Sequence, residues 1–243
     1  MYALETKNLS KSFGGVHAVD RLSLKFEKGK ITGIVGPNGS GKTTLVNTLS
    51  GLLPIDSGIV IISGATFHRV ESSVIAFYGL TRTFQEVRLF NQMTVLDNIL
   101  VVLTERAVAG ALFEKHTAHH LKQAQEVLQI VGLWEKRSQL AINLSYGQRK
   151  LLEIARALAT QASVLLFDEP FAGLFPEMVK LVSSIMLDLK KQGKTLVLIE
   201  HNMNLIRELC DYLYVMDSGQ LLAEGEPKKV LEQKNVIEAY LGE

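Results

Sequence analysis

The chain has 243 residues, enough for one large domain or two small ones and for a core that needs no disulfide. Its 26 Lys and Arg against 25 Asp and Glu leave a net charge of +1, which gives no support to broad electrostatic capture of nucleic acid or anionic lipid. With 47% hydrophobic and 21% charged residues the composition excludes a disordered chain. A mean hydropathy of +0.16 points to faces covered by partners. Cys210 is the single cysteine, so no internal disulfide forms; it reads as core filler on an apolar helix. The start, Met1-Tyr2-Ala3-Leu4-Glu5, lacks the basic and apolar stretches of a signal peptide. No segment approaches the roughly 18 uncharged apolar residues that cross a bilayer. A role at a membrane requires another chain to do the spanning.

The first thirty residues alternate apolar and polar positions, as in Leu22-Ser23-Leu24-Lys25-Phe26, and turn at Glu27-Lys28-Gly29-Lys30, predicting antiparallel strands. Ile31 to Val35 is a short apolar run entering a Gly-rich loop, after which Leu45, Leu49 and Leu52 or Leu53 recur at helical spacing. Gly58 to Ser63 and Thr66 to His68 read as further short strands. From about Thr94 to Ala159 the period becomes helical, with Val95, Ile99 and Val102 or Leu103 on one face and Leu121, Ala124, Leu128 and Val131 on another. Strand patterns return at Val164 to Phe167 and Leu196 to Ile199, each beside a helix, the alternation of a parallel sheet. Tyr212 to Met216 and Gln220 to Ala223, joined by Asp217-Ser218-Gly219, form a closing hairpin. The expected architecture is a single α/β domain: a core with an antiparallel β subdomain over 1–90 and 160–243, and a helical subdomain over about 91–159.

Gly36-Pro37-Asn38-Gly39-Ser40-Gly41-Lys42-Thr43 matches G-x-x-x-x-G-K-[ST] between a predicted strand and a predicted helix, the P-loop context. Its glycines let backbone N–H groups converge on phosphate oxygens, the helix start adds its dipole, and Lys42 adds a charge for the β- and γ-phosphates. Thr43 is the candidate hydroxyl for Mg²⁺, and Thr44 completes the candidate nucleotide-binding set. Val164-Leu165-Leu166-Phe167-Asp168-Glu169 delivers two carboxylates to a strand end, where ligands of open α/β sheets sit. Asp168 is the candidate for Mg²⁺, and Glu169, on the other side of the strand edge, for polarising an attacking water. Ser145 followed by Gln148 is a capping-box pattern, marking a second helix start.

With these stations in order, the chain resembles an ATP-binding cassette ATPase, the nucleotide-binding subunit of ABC transporters, along nearly its whole length. Leu144-Ser145-Tyr146-Gly147-Gln148 resembles that family's signature motif. The resemblance implies two subunits head to tail, each ATP lying between one phosphate loop and the other subunit's signature helix, with Ser145, Gly147 and Gln148 as the contact. It also implies that Phe13 stacks on adenine, a contact of about 1 to 3 kcal/mol that reads a ring face. It implies that Gln85 reaches Mg²⁺ and the water, and that His201 contacts the γ-phosphate. The sequence departs from the family in Ala172-Gly173-Leu174-Phe175-Pro176, where Asp or Asn usually stands at the position of Phe175. Tyr146 replaces a common Gly of the signature.

Phe13-Gly14-Gly15, the stretch Thr81 to Phe90, the helical insertion near Thr104 to Lys122 and the ending Ala239-Tyr240-Leu241-Gly242-Glu243 resemble the ATPase of branched-chain (hydrophobic) amino-acid importers. This resemblance implies ATP and Mg²⁺ as cofactors, a second cassette subunit and transmembrane permease subunits as partners, no nucleic acid, and a place on the cytoplasmic face of the inner or plasma membrane. Glu86 to Phe90 would then face the membrane subunit. Two alternatives remain, a lipid or lipopolysaccharide export ATPase, which shares the style of Asp168 to Gly173 and the ending, and a non-transport soluble cassette. A GTPase would need N-K-x-D, which is absent. His116, His119 and His120 lie close on a helix, but no carboxylate or cysteine completes a metal site, and they read as a solvated face.

Overall fold

The computed structural model describes residues 1–103 and 118–241. Gly110, His116 and most of the insertion that begins at Thr104 lie outside the described residues, as do Gly242 and Glu243. The chain divides into two compact units, one of Met1–Arg82, Ala162–Glu169 and Met186–Glu243, the other of Thr83–Gln161 and Pro170–Ile185.

Among the described residues, the first unit holds two sheets. In the antiparallel sheet the long strand β1 (Tyr2–Phe13) pairs with β2 (Val16–Leu22), β3 (Lys25–Glu27) and β5 (Ser57–Ile62), and β6 (Ala65–Phe67) pairs with β5. Leu4 stands opposite both Phe26 and Ile62, and all three are fully buried; cross-strand apolar pairs of this kind fix the register.

The second sheet runs β11-β10-β4-β9-β8-β7. Its strands β4 (Ile31–Val35), β8 (Val164–Asp168) and β9 (Thr195–Ile199) are buried at every position, which is why they read as mostly apolar runs: parallel strands are covered on both faces. β10 (Tyr212–Asp217) and β11 (Gln220–Gly225) form the expected hairpin. Leu45 and Leu49 of α1 (Lys42–Leu49) join Leu4, Phe26, Ile34, Leu166 and Ile199 in one core.

β7 (Leu80–Arg82) is a strand that the sequence pattern does not reveal. It pairs in parallel with Val164–Leu166, and three residues are too few to display a period of two.

The second unit is helical, as its periodicity predicts. α2 (Val95–Leu103) buries Val95, Ile99 and Leu100, α3 (Ala118–Ile130) buries Ala124 and Leu128, and α4 (Tyr146–Ala159) buries Leu151, Leu152, Ile154 and Ala155. Leu121, expected on the apolar face of α3, is exposed instead. The residues of α5 (Pro176–Lys191) up to Ile185 belong to this unit.

In the first unit α6 (Met203–Leu209) ends at Cys210, which therefore caps a helix rather than lying within it. The Cys210 thiol is half-buried, and burial, with the Asp211 charge beside it, pushes its pKa up to about 12. The chain closes with α7 (Pro227–Val230) and α8 (Lys234–Leu241). Among the described residues no helix is long and apolar enough to cross a membrane.

Candidate functional site

The loop after β4 is shaped by contacts that only glycine tolerates. A Cβ on Gly36 would stand 2.1 Å from the carbonyl oxygen of Met216, and one on Gly41 would stand 2.0 Å from that of Ala18. Gly41 has φ +99° and takes the N-cap position of α1, so this helix start carries no side-chain cap. The turn of the β10–β11 hairpin braces the loop from outside: the Gly219 N–H donates to the Ser40 carbonyl at 3.1 Å. Lys42 is buried, and its Nζ donates to the carbonyls of Gly36 and Pro37, each at 2.8 Å, and to Ser40 Oγ at 3.3 Å. The cation is thereby held at the centre of the loop. Asn38, Gly39 and Thr43 are exposed, while Thr44 is half-buried.

In the sheet β4 neighbours β9 and β9 neighbours β8, all parallel. The phosphate loop, His201 and Asp168-Glu169 follow the C-terminal ends of these strands, so one sheet edge gathers them, the edge where open α/β sheets bind ligands. The two carboxylates face different partners. Asp168 Oδ2 accepts from Arg82 Nη2 at 3.0 Å in an ion pair whose side chains are 2% and 6% exposed, and Arg82 Nη1 donates onward to Asn47 Oδ1 at 2.7 Å and Ser50 Oγ at 2.8 Å. Glu169 Oε1 lies 3.0 Å from His201 Nε2. Its backbone φ is +48°, a region that costs a non-glycine residue on the order of 1 to 3 kcal/mol. The Glu169 N–H, bonded to the Ile199 carbonyl at 3.0 Å, holds the residue there.

Arg82 is the partner that sequence reading missed. It lies on the three-residue strand β7, and nothing in the spacing of Thr81-Arg82-Thr83 marks a buried cation. Phe13 is not a core residue. The residue is 47% exposed at the end of β1, and Lys11 Nζ stands 5.3 Å from the ring centroid while bonding Asp56 Oδ1 at 2.6 Å. The Lys11 bond, with the Ser12 backbone N–H, holds the Asp56 carboxyl below the usual carboxylate range.

In the second unit the capping box is present. The Gln148 N–H donates to Ser145 Oγ at 3.3 Å, and the Ser145 N–H donates to Gln148 Oε1 at 3.1 Å. Gly147 is buried, and a Cβ on it would meet Met178 Sδ at 2.5 Å, so any side chain there would have to push aside the flexible end of Met178 on α5. Tyr146 is exposed, its ring lying over Gly173. Gln85 belongs to an irregular segment whose backbone carbonyl accepts from Lys150 Nζ at 2.9 Å. Phe175 is 71% exposed, and its carbonyl accepts from the Met178 and Val179 N–H groups at the start of α5. His119 is exposed and His120 half-buried; among the described residues no three His, Cys, Asp or Glu side chains gather around a possible ion.

Residues 19–172 match the ABC transporter family. The chain belongs to that family. It is 37% identical over 252 residues to the probable branched-chain amino acid transport ATP-binding protein LivG of Archaeoglobus fulgidus, covering 100% of this chain and 96% of that protein. It is 36% identical over 249 residues to the high-affinity branched-chain amino acid transport ATP-binding protein LivG of Escherichia coli K12, covering 99% of this chain and 98% of that one. Among solved structures, an ATP-binding cassette of an ABC transporter in its ADP conformation superposes with a TM-score of 0.87 at 37% identity, over 100% of both chains. The protein is thus an ABC-type ATPase cassette, with the phosphate loop, the Asp168-Glu169 strand end and His201 in one unit and the signature helix in the other.

Proposed function

We propose that this cassette hydrolyses Mg-ATP to power the import of branched-chain or other hydrophobic amino acids through partner membrane subunits, at the cytoplasmic face of the membrane. The observation that carries the chemistry is the Glu169–His201 pair at the sheet edge that also bears the phosphate loop. The solute class rests on the likeness to the LivG proteins over the full chain.

Lys42 exchanges its loop carbonyls for the β- and γ-phosphates, and the exposed face of Phe13 takes the adenine. Asp168 and Thr43 offer hard oxygen donors that suit Mg²⁺, an ion that takes one or two carboxylates and the substrate's phosphates. When bound there, the ion neutralises charge on the phosphates. Arg82 holds the Asp168 carboxylate in place. Glu169 takes the proton of the attacking water, and His201, which holds its carboxylate in place, turns from it to the γ-phosphate. Ser145 and Gly147 of a second cassette, identical or a sister chain, close the site.

The test is Glu169→Gln. A general base contributes about 10² to 10⁴ in rate, so hydrolysis falls by that factor while ATP binding persists, and size measurement in Mg-ATP shows a trapped pair. A variant that binds ATP yet never pairs, even beside a sister cassette, overturns the shared site.

A further inference from the structure

Residues 83–90, between β7 and α2, form no regular structure. A backbone without a ladder or helix must find its hydrogen bonds elsewhere, and this one finds them on α4. Lys150, Glu153 and Arg156 recur every third residue, a spacing that places all three on one helix face. Lys150 Nζ donates to the carbonyls of Gln85 at 2.9 Å and Phe84 at 3.3 Å. Glu153 Oε1 accepts the Phe84 N–H at 3.1 Å, and Arg156 Nη1 donates to the Arg88 carbonyl at 2.5 Å. The bonds run to backbone atoms, so they fix the path of the segment whatever side chains it carries.

Two ring contacts tighten the arrangement: the Arg88 guanidinium lies 4.1 Å from the Phe84 centroid and that of Arg156 lies 5.0 Å from the Phe90 centroid. The far end is tied to α2, where the buried Asn98 accepts the Phe90 N–H at 3.0 Å and donates to the Phe90 carbonyl at 3.1 Å. Lys150 and Glu153 are buried although both are ionisable, and burial pushes the Glu153 carboxyl above its ordinary range against the pull of the Phe84 N–H and the Lys150 charge. Apolar residues would pack this face without that cost. What they cannot do is hold backbone atoms.

We infer that Lys150, Glu153 and Arg156 are positioning residues that make the Gln85–Arg88 segment and the Ser145-capped helix a single body, so that a membrane subunit bearing on Glu86–Phe90 moves Ser145 with it. The inference rests on the transport reading above and adds the part that transmits the force. Arg156 and Lys150 are separated from Ser145 along a continuous helix of 14 residues, and a hydrogen-bonded helix does not shorten under a lateral load as a loop would. The carboxylate and the two cations are therefore worth more to coupling than to nucleotide affinity.

The experiment uses the cassette with the membrane subunits that copurify with it. In Arg156→Met, hydrogen exchange over residues 83–90 speeds up at least tenfold. The ratio of ATPase rates with and without the membrane subunits falls at least fivefold, while the Mg-ATP dissociation constant of the cassette stays within twofold. Glu153→Leu, which takes the acceptor from the Phe84 N–H, gives the same two losses, while Glu153→Gln, which keeps an acceptor there, stays near wild type in both. Lys150→Met repeats the test should Arg156→Met not fold. Equal stimulation of wild type and variants that exchange faster overturns the clamp alone, as does unchanged exchange. A wild-type cassette that no membrane subunit stimulates overturns the transport reading, and the clamp's role in coupling with it.

Discussion

Two helix starts in this molecule carry the motifs that matter, and they end differently. α1 begins at Gly41, which has no side chain and offers no cap, and the nearest cation, Lys42, is turned into the loop before it. α4 begins at Ser145, where side chain and backbone close a reciprocal box with Gln148. An uncapped start has all its backbone donors for an outside anion, whereas the box at α4 already occupies two, the N–H groups of Ser145 and Gln148. The start of α1 leaves its backbone donors open, whereas the start of α4 commits part of its own to holding the helix.

Three substitutions sharpen or break this contrast. Lys42→Ala removes the buried cation at the centre of the loop before α1. Loss of a preorganised donor to developing charge costs about 10² to 10³ in rate, so phosphate release should fall by at least that much; retained activity would end the assignment of the loop. Ser145→Ala should act on stability first, by about 1 kcal/mol in chemical denaturation, because α4 loses a cap that α1 never had. An unchanged midpoint would mean that the box does not close this helix.

Phe175→Asp is the smallest and tests a third helix start. Phe175 stands at the N-cap of α5 just before Pro176 at the first helical position, and a phenyl ring cannot accept the first-turn N–H groups. Aspartate should add about 0.5 to 1 kcal/mol. If the ring also weakens communication between paired cassettes, turnover or cooperativity rises with it, and no change in either would remove that idea.

Much of the architecture was legible because it obeys short periods. β4, β8 and β9 are mostly apolar runs, the strand–loop–helix context gave the phosphate loop its meaning, and Ser145 with Gln148 announced a helix start. What stayed hidden acts across long separations through backbone atoms or through elements too short for a period. Arg82 reaches Asp168 from a three-residue strand. Lys150, Glu153 and Arg156 read as the polar face of an amphipathic helix, and no spacing says that their partners are carbonyls and an amide more than sixty positions earlier. The helix after Pro170 was visible as a helix, but periodicity does not say which body it packs with, and its first part joins the second unit. The ring of Phe13 was placed by resemblance; the exposure of its face and the Lys11–Asp56 pair beside it are tertiary facts.

The bond from Gly219 to Ser40, and the Met216 carbonyl that forbids a side chain on Gly36, tie an eight-residue cradle to a hairpin far downstream in the chain. A growing chain that has emerged only as far as β9 already possesses every letter of the motif and still lacks the mould that gives it curvature. The curvature of the cradle is therefore borrowed from a distant stretch of the chain and is complete only once the sheet has closed around β10.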